Sequence, residues 1–156
     1  MIGNAIVGQS GGPTAAINAT LAGVISGALE CKSIGAVLGM RNGIEGLMEE
    51  RICDLGARFA DRRELDALSL TPAAALGSCR RKLPDPNSHE PNDLAVYERI
   101  IEVLRKHDIR YFFYIGGNDS MDTVAKLSCY LERHSDYKLA VIGVPKTIDN
   151  DLSGTD

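Results

Sequence analysis

The sequence predicts an α/β domain, a Rossmann-like three-layer sandwich whose mostly parallel sheet carries helices on both faces. Three observations point there. Short apolar runs alternate with longer segments of helical periodicity, in the order βαβ, an irregular stretch, then αβαβ. The first, strongest and last runs each end in a Gly-rich or polar turn, and in a parallel sheet those turns share one edge. A length of 156 residues, 44% of them apolar, with 16 Gly and no low-complexity tract, describes one globular unit.

Gly3–Gly8 reads as a short strand leading into Gln9-Ser10-Gly11-Gly12-Pro13. A strand, a Gly-rich turn and a helix in that order bring backbone N–H groups to phosphate. The turn matches neither the dinucleotide pattern GxGxxG nor a Walker loop ending in Gly-Lys-Ser/Thr. Pro13 suits the first turn of a helix, along which Ile17, Leu21, Val24, Ile25 and Ala28 share one face. Ile34–Leu38 gives a second strand. Gly39–Leu47 has glycines without periodicity and reads as a loop, and Arg51–Leu55 adds a short strand. The dense mixed charges of Arg58–Asp66 describe a solvated face.

Thr71–Lys82 sets a Gly77-Ser78 turn before three cations, Arg80, Arg81 and Lys82. This is a surface basic cluster or a guanidinium reaching a phosphate, for which a planar bidentate group is suited. Leu83–Pro91, with three prolines, reads as an exposed connector. Asn92 or Asp93 caps a helix whose Leu94, Tyr97, Ile101 and Leu104 share a face and which ends near His107, where an imidazolium suits the helix dipole. His89, His107 and His134 are all read as structural. Arg110–Ile115 is the strongest strand, its tyrosines read as packing. It runs into Gly116-Gly117-Asn118-Asp119-Ser120 and a helix with Met121, Val124, Ser128 and Leu131 on one side.

Leu139–Val144 reads as a buried strand, stopped by Pro145, which cannot donate to a ladder. Lys146, Thr147, Asp149 and Asp151 follow at its C-terminal mouth. The two carboxylates stand at i and i+2, close enough to share a metal or to push their pKa values apart, and Lys146 suits an anion. An Asp/Asn-rich turn would satisfy the same residues.

A net charge of −4 argues against nucleic acid or an anionic membrane as partner. Cys31, Cys53, Cys79 and Cys129 are scattered without a CxxC pair, the usage of reduced cytosolic thiols. With no signal-like or membrane-length apolar run, the expected compartment is the cytoplasm.

Four blocks together carry a resemblance: Ser10-Gly11-Gly12, Leu76-Gly77-Ser78-Cys79-Arg80, Gly116-Gly117-Asn118-Asp119-Ser120 and Pro145-Lys146-Thr147-Ile148-Asp149-Asn150-Asp151. In order and spacing they resemble the 6-phosphofructokinase family. The resemblance spans nearly the whole chain but only the amino-terminal half or less of a family member. It therefore implies that residues 1–156 are the amino-terminal phosphoryl-donor-binding domain of a longer protein, truncated before most of the sugar-phosphate site.

What the resemblance implies is magnesium-dependent phosphoryl transfer to the 1-hydroxyl of fructose 6-phosphate, a step of glycolysis. Asp149 matches the carboxylate that takes the hydroxyl proton. Thr147 matches a residue beside the transferred phosphoryl group, and Asp151 a second carboxylate near metal and substrate. The same three, Thr147, Asp149 and Asp151, would contact the sugar phosphate. Arg80 matches a cation on the transferring phosphate. Gly11 and Gly12, with Lys146, Asp119 and Ser120, match the donor-phosphate site. Asn118 and Asp119 match the magnesium position, although the family's usual residue at 118 is Asp and a neutral amide binds the ion less tightly.

Two departures from ATP-dependent members resemble the pyrophosphate-dependent branch: Asp119 for Gly, and Lys146 for the Gly before Thr-Ile-Asp-Asn-Asp. Asp119 would set a negative charge where an ATP α-phosphate lies. A like charge at ~4 Å costs about 1 kcal/mol in bulk water and ~4 kcal/mol at an effective dielectric of 20. Lys146 would anchor a donor that lacks a nucleoside. Arg41, where ATP-dependent members hold adenine near an aromatic, agrees. The implied donor is pyrophosphate, and the full-length protein is expected to be a homo-oligomer. Alternatives are an ATP-dependent 6-phosphofructokinase or a non-catalytic regulatory paralogue, with Asn118 favouring the latter. The chain alone is expected to be inactive.

Overall fold

The computed structural model describes residues 1–146. Five strands form one sheet in the order β3-β2-β1-β4-β5: β1 (Gly3–Gln9), β2 (Ile34–Met40), β3 (Ile52–Asp54), β4 (Ile109–Gly116) and β5 (Ala140–Pro145). β1 runs parallel to β2 and β4, and β4 parallel to β5, while β3 pairs antiparallel with β2 at one edge. The mostly parallel expectation holds.

The period-2 alternation of β1 separates two cores. Val7 joins α1 (Ile17–Glu30), α3 (Leu55–Arg58) and α4 (Arg62–Leu70) through Ile17, Leu21, Ile25, Leu55, Leu65 and Leu68. Ile6 joins α2 (Gly43–Met48), α5 (Pro91–Lys106) and α6 (Asn118–His134) through Ile44, Leu47, Tyr97, Leu104 and Leu127. This is the three-layer sandwich. Each fully buried Leu, Ile or Phe contributes roughly 1.5–3 kcal/mol, so two cores of this size carry most of the fold's cohesion.

Several local expectations are corrected. Gly39–Leu47 is not a loop throughout: β2 continues to Met40, and Asn42 and Gly43, at φ 62° and 58°, turn the chain into α2. Six residues are too few for periodicity, yet Ile44 and Leu47 are both buried. The charged stretch at 58–66 contains the start of α4, with Asp61 accepting from Arg63 N–H as its cap and only Leu65 and Leu68 turned inward. Its charged residues are solvated, as expected.

Pro13 lies ahead of α1, whose N-cap is Ala16. The cap of α5 is Glu90, with Pro91 at the first helical position, so Asn92 and Asp93 are already inside. In α6 the buried stripe is Ser120, Thr123, Leu127, Tyr130 and Leu131, displaced from the face centred on Met121 and Ser128. The segment 83–91 is not wholly exposed, because Leu83 is buried and Pro84 accepts from Tyr97 Oη at 2.6 Å. β5 is half-buried along Ala140–Val144, because β4 is its only neighbour in the described sheet.

The packing roles read for Tyr114 and His107 hold. Tyr114 is buried in the core, and His107 caps α5 with Nε2 3.5 Å from Glu50. The four cysteines are free. Among the described residues no helix is long and apolar enough to cross a membrane.

Candidate functional site: a phosphate corner at the strand order reversal

From β1 the sheet grows one way to β2 and the other way to β4, so the order reverses between β1 and β4. In open α/β sheets the crevice at that point, beyond the carboxyl ends of the strands, is where ligands bind. The turns after β1, β4 and β5 meet there. Ser10 N–H donates to Ile115 O at 2.9 Å, and Lys146 N–H to Gly116 O at 2.7 Å. Lys146 Nζ then reaches back to Gly12 O at 2.7 Å, joining the first turn to the last.

Gly11 sits at φ 78°, a left-handed conformation that a side chain would strain, and its position faces Gly117 N. Gly12 is exposed, with open space around it. The turn therefore presents bare backbone to the crevice, as phosphate binding requires. Across from it, α6 begins at Asn118, its first-turn N–H groups and positive dipole end turned to the same edge.

The 71–82 segment closes the corner, and sequence reasoning missed what holds it. Gln9 and Asn18 are buried and bonded to each other, Gln9 Nε2 to Asn18 Oδ1 at 2.9 Å. Gln9 Oε1 accepts from Leu76 N–H at 2.8 Å, and Asn18 Oδ1 from Ala75 N–H at 2.9 Å. Further along, Ser78 Oγ donates to Gly11 O at 2.8 Å and Ser10 Oγ to Cys79 O at 3.0 Å. The available signal was Asn18 itself, a polar residue in the apolar stripe shared by Leu21, Ala22 and Ile25.

Arg80 follows directly and is exposed, with no carboxylate partner among the described residues. Lys82 pairs with Asp119 at 3.0 Å. Asn118 and Asp119 are both exposed. Ser120, by contrast, is buried against Gly116, and its Oγ has no hydrogen-bond partner among the described residues. Behind the corner, Tyr114 Oη accepts from Ile44 N–H at 3.1 Å, and burial pushes its hydroxyl pKa well up. The structure thus brings Gly11, Gly12, Lys146, Asn118, Asp119 and Arg80 to one end of the sheet. Thr147, Asp149 and Asp151 lie outside the described residues.

Among the described residues no group of three His, Cys, Asp or Glu side chains is arranged to hold a metal by itself. Asn118 and Asp119 offer hard oxygen donors at the open edge. Such a set fits magnesium, which usually keeps several waters and is held by one or two carboxylates plus substrate phosphates. Asp119 would have to exchange Lys82 for the ion.

Over residues 4–156 the chain matches the family model described as phosphofructokinase. The chain belongs to the phosphofructokinase family. It is 51% identical over 154 residues to a pyrophosphate--fructose 6-phosphate 1-phosphotransferase of Xanthomonas campestris, covering 99% of this chain and 35% of that protein. An ATP-dependent 6-phosphofructokinase of Aliivibrio fischeri is 36% identical over 148 residues, covering 94% of this chain and 39% of the relative. Among solved structures, the pyrophosphate-dependent phosphofructokinase of Nitrosospira multiformis superposes with a TM-score of 0.84 at 45% identity, covering 97% of this chain and 35% of that one. This phosphofructokinase chain thus spans about a third of the length of the relatives it matches.

Proposed function

We propose that this chain is the amino-terminal donor-phosphate domain of a pyrophosphate-dependent phosphofructokinase, active on fructose 6-phosphate with magnesium. The observation that carries the reading is the bond from Lys146 Nζ to Gly12 O. It sets an ammonium against bare backbone at the order reversal of the sheet, where a small, highly charged donor without a nucleoside needs a point charge. The greater identity to the pyrophosphate-dependent relative than to the ATP-dependent one, 51% against 36%, supports the same donor.

In this reading the Gly11 and Gly12 backbone, Lys146 and the α6 N-terminus hold pyrophosphate. Arg80 meets the transferring phosphoryl group, and such electrostatic clamping carries most phosphoryl-transfer catalysis. The 1-hydroxyl oxygen of the sugar attacks that phosphorus, its proton passes to Asp149, and inorganic phosphate leaves. Thr147 and Asp151 orient the acceptor. Removing the base should cost roughly 10²–10⁴ in rate. Asn118 and Asp119 would hold magnesium together with phosphate oxygens, and the ion would supply charge neutralisation there. We further propose a cytoplasmic homo-oligomer acting in glycolysis, and no turnover by residues 1–156 alone.

The test is turnover by the full-length protein with fructose 6-phosphate and magnesium, comparing pyrophosphate with ATP. A strong pyrophosphate preference is expected. An ATP preference would reject the assigned roles of Asp119 and Lys146. Turnover with neither donor, by folded protein, would favour a non-catalytic paralogue and implicate Asn118.

A further inference from the structure

Residues 71–90 cross the ligand edge as twenty residues without helix or strand, and Arg80 stands in their middle. No ladder fixes that guanidinium. Its placement comes from side chains of other elements, so the identity of those side chains decides where it points.

We infer that Gln9 and Asn18 are positioning residues for Arg80, acting through the segment Thr71–Cys79. The two amides are 0% and 1% exposed, so each polar atom needs a partner inside the protein. Each has one. Gln9 Nε2 donates to Ile17 O at 3.2 Å and to Asn18 Oδ1 at 2.9 Å, and Gln9 Oε1 accepts from Leu76 N–H at 2.8 Å. Asn18 Oδ1 also accepts from Ala75 N–H, and Asn18 Nδ2 donates to Thr71 O, both at 2.9 Å. Reversing either amide would set N–H against N–H, so the network has a single arrangement.

The pair binds the segment at its start, Thr71, and at Ala75 and Leu76, to the strand and helix that frame the Gly11-Gly12 turn. Asn42 N–H donates to Leu76 O at 2.7 Å and holds the same residue from the β2 side. Ser78 and Cys79 are then tied to the turn itself, through Gly11 O and Ser10 Oγ. Arg80 is the first residue past the last of these ties. A slack network would let the segment drift while the core stays packed, and a misplacement near 1 Å is enough to cost about 10²-fold in turnover.

The catalytic arm of the test rests on the proposed function, and uses full-length protein carrying Asn18→Ala, Arg80→Ala and both. Asn18→Ala is expected to lower kcat about 10- to 10²-fold with KM for pyrophosphate changed less than about threefold. In the Arg80→Ala background the same change should alter kcat by less than about threefold, because the residue it positions is gone. Equal losses in both backgrounds overturn the inference. A second arm needs no turnover. Trypsin cleavage after Arg80, Arg81 or Lys82 should quicken by at least about tenfold in Asn18→Ala, at a temperature where circular dichroism shows it folded. Unchanged cleavage overturns the inference. Gln9→Met keeps length while removing the bonds to Ile17 O, Asn18 Oδ1 and Leu76 N–H, and carries both arms if Asn18→Ala does not fold. A wild-type protein that uses neither donor would defeat the proposed function alone, leaving the cleavage arm to decide whether the pair holds the segment.

Discussion

Lys146 Nζ lies 2.7 Å from the carbonyl oxygen of Gly12, so the last described residue closes on the first turn of the chain. The contact crosses the ends of β1, β4 and β5 and spends an ammonium on a backbone carbonyl. In the proposed reading, a polyanion beside Gly11 and Gly12 would give the same ammonium a stronger partner.

Replacing Lys146 by Met keeps the length of the stem and removes the charge. An opposite charge at ~4 Å is worth about 1 kcal/mol in bulk water and ~4 kcal/mol at an effective dielectric of 20, so KM for pyrophosphate should rise between about 5-fold and nearly 10³-fold. Steady-state kinetics of the full-length variant measures it, and an unchanged KM would remove Lys146 from the donor site.

Asp119 is the opposite test. It projects from the first turn of α6 with its carboxylate on Lys82. The substitution Asp119→Gly removes volume and charge where the proposed reading sets a nucleotide's α-phosphate. The ratio of kcat/KM for ATP to that for pyrophosphate should increase by about 5-fold or more. A ratio that stays constant would mean that donor choice is made elsewhere.

The three ligand-edge turns were legible because each follows a strong apolar run, and the strand Arg110–Ile115 needed no tertiary information to be found. The α2 helix was not legible: at six residues it is shorter than two turns, and the left-handed pair Asn42-Gly43 that starts it signals a turn and not a helix. The inward face of α6 was displaced because Met121 and Val124 cover the half-buried β5, so apolar residues there are not the most buried ones. Asn18 is a polar residue in an apolar stripe and went unread, because its partner Ala75 lies 57 positions away and no local pattern connects them. The family motif made Asp149 and Asp151 the most chemical-looking residues, and they lie beyond the described part.

Away from the site, Glu50 gathers Arg99 at 2.9 Å and Lys106, with His107 behind. Hydrogen bonds from Lys106 and then Arg99 hold its carboxyl at about 2, down from 4.5. A depressed folded-state pKa contributes stability above the unfolded value, and that contribution is lost as pH falls from about 4.5 toward 2. Glu50→Gln should therefore melt below wild type at pH 7, and the gap should shrink as pH falls through that window. Scanning calorimetry at several pH values checks this, and a gap independent of pH would rule out the ion cluster as its source.

Gly43 joins the fold to the site. Its φ is 58°, and a Cβ there would lie 2.6 Å from Tyr114 Oη and 2.9 Å from Cys79 Sγ. Gly43→Ala thus meets two penalties, a left-handed backbone costing roughly 1–2 kcal/mol and overpacking costing roughly 1–3 kcal/mol. The neighbours have little room to yield: Tyr114 is 1% exposed and its hydroxyl satisfies Ile44 N–H, while the carbonyl of Cys79 is held by Ser10. Relief that displaces Cys79 would carry the strain to Arg80, the next residue of the chain. The variant should lose about 2–5 kcal/mol in urea unfolding. At temperatures where it remains folded it should also lose more kcat than a core substitution of equal cost on the other face, such as Leu68→Ala. Equal kcat in the two variants would show that strain at Gly43 stops short of the phosphate corner.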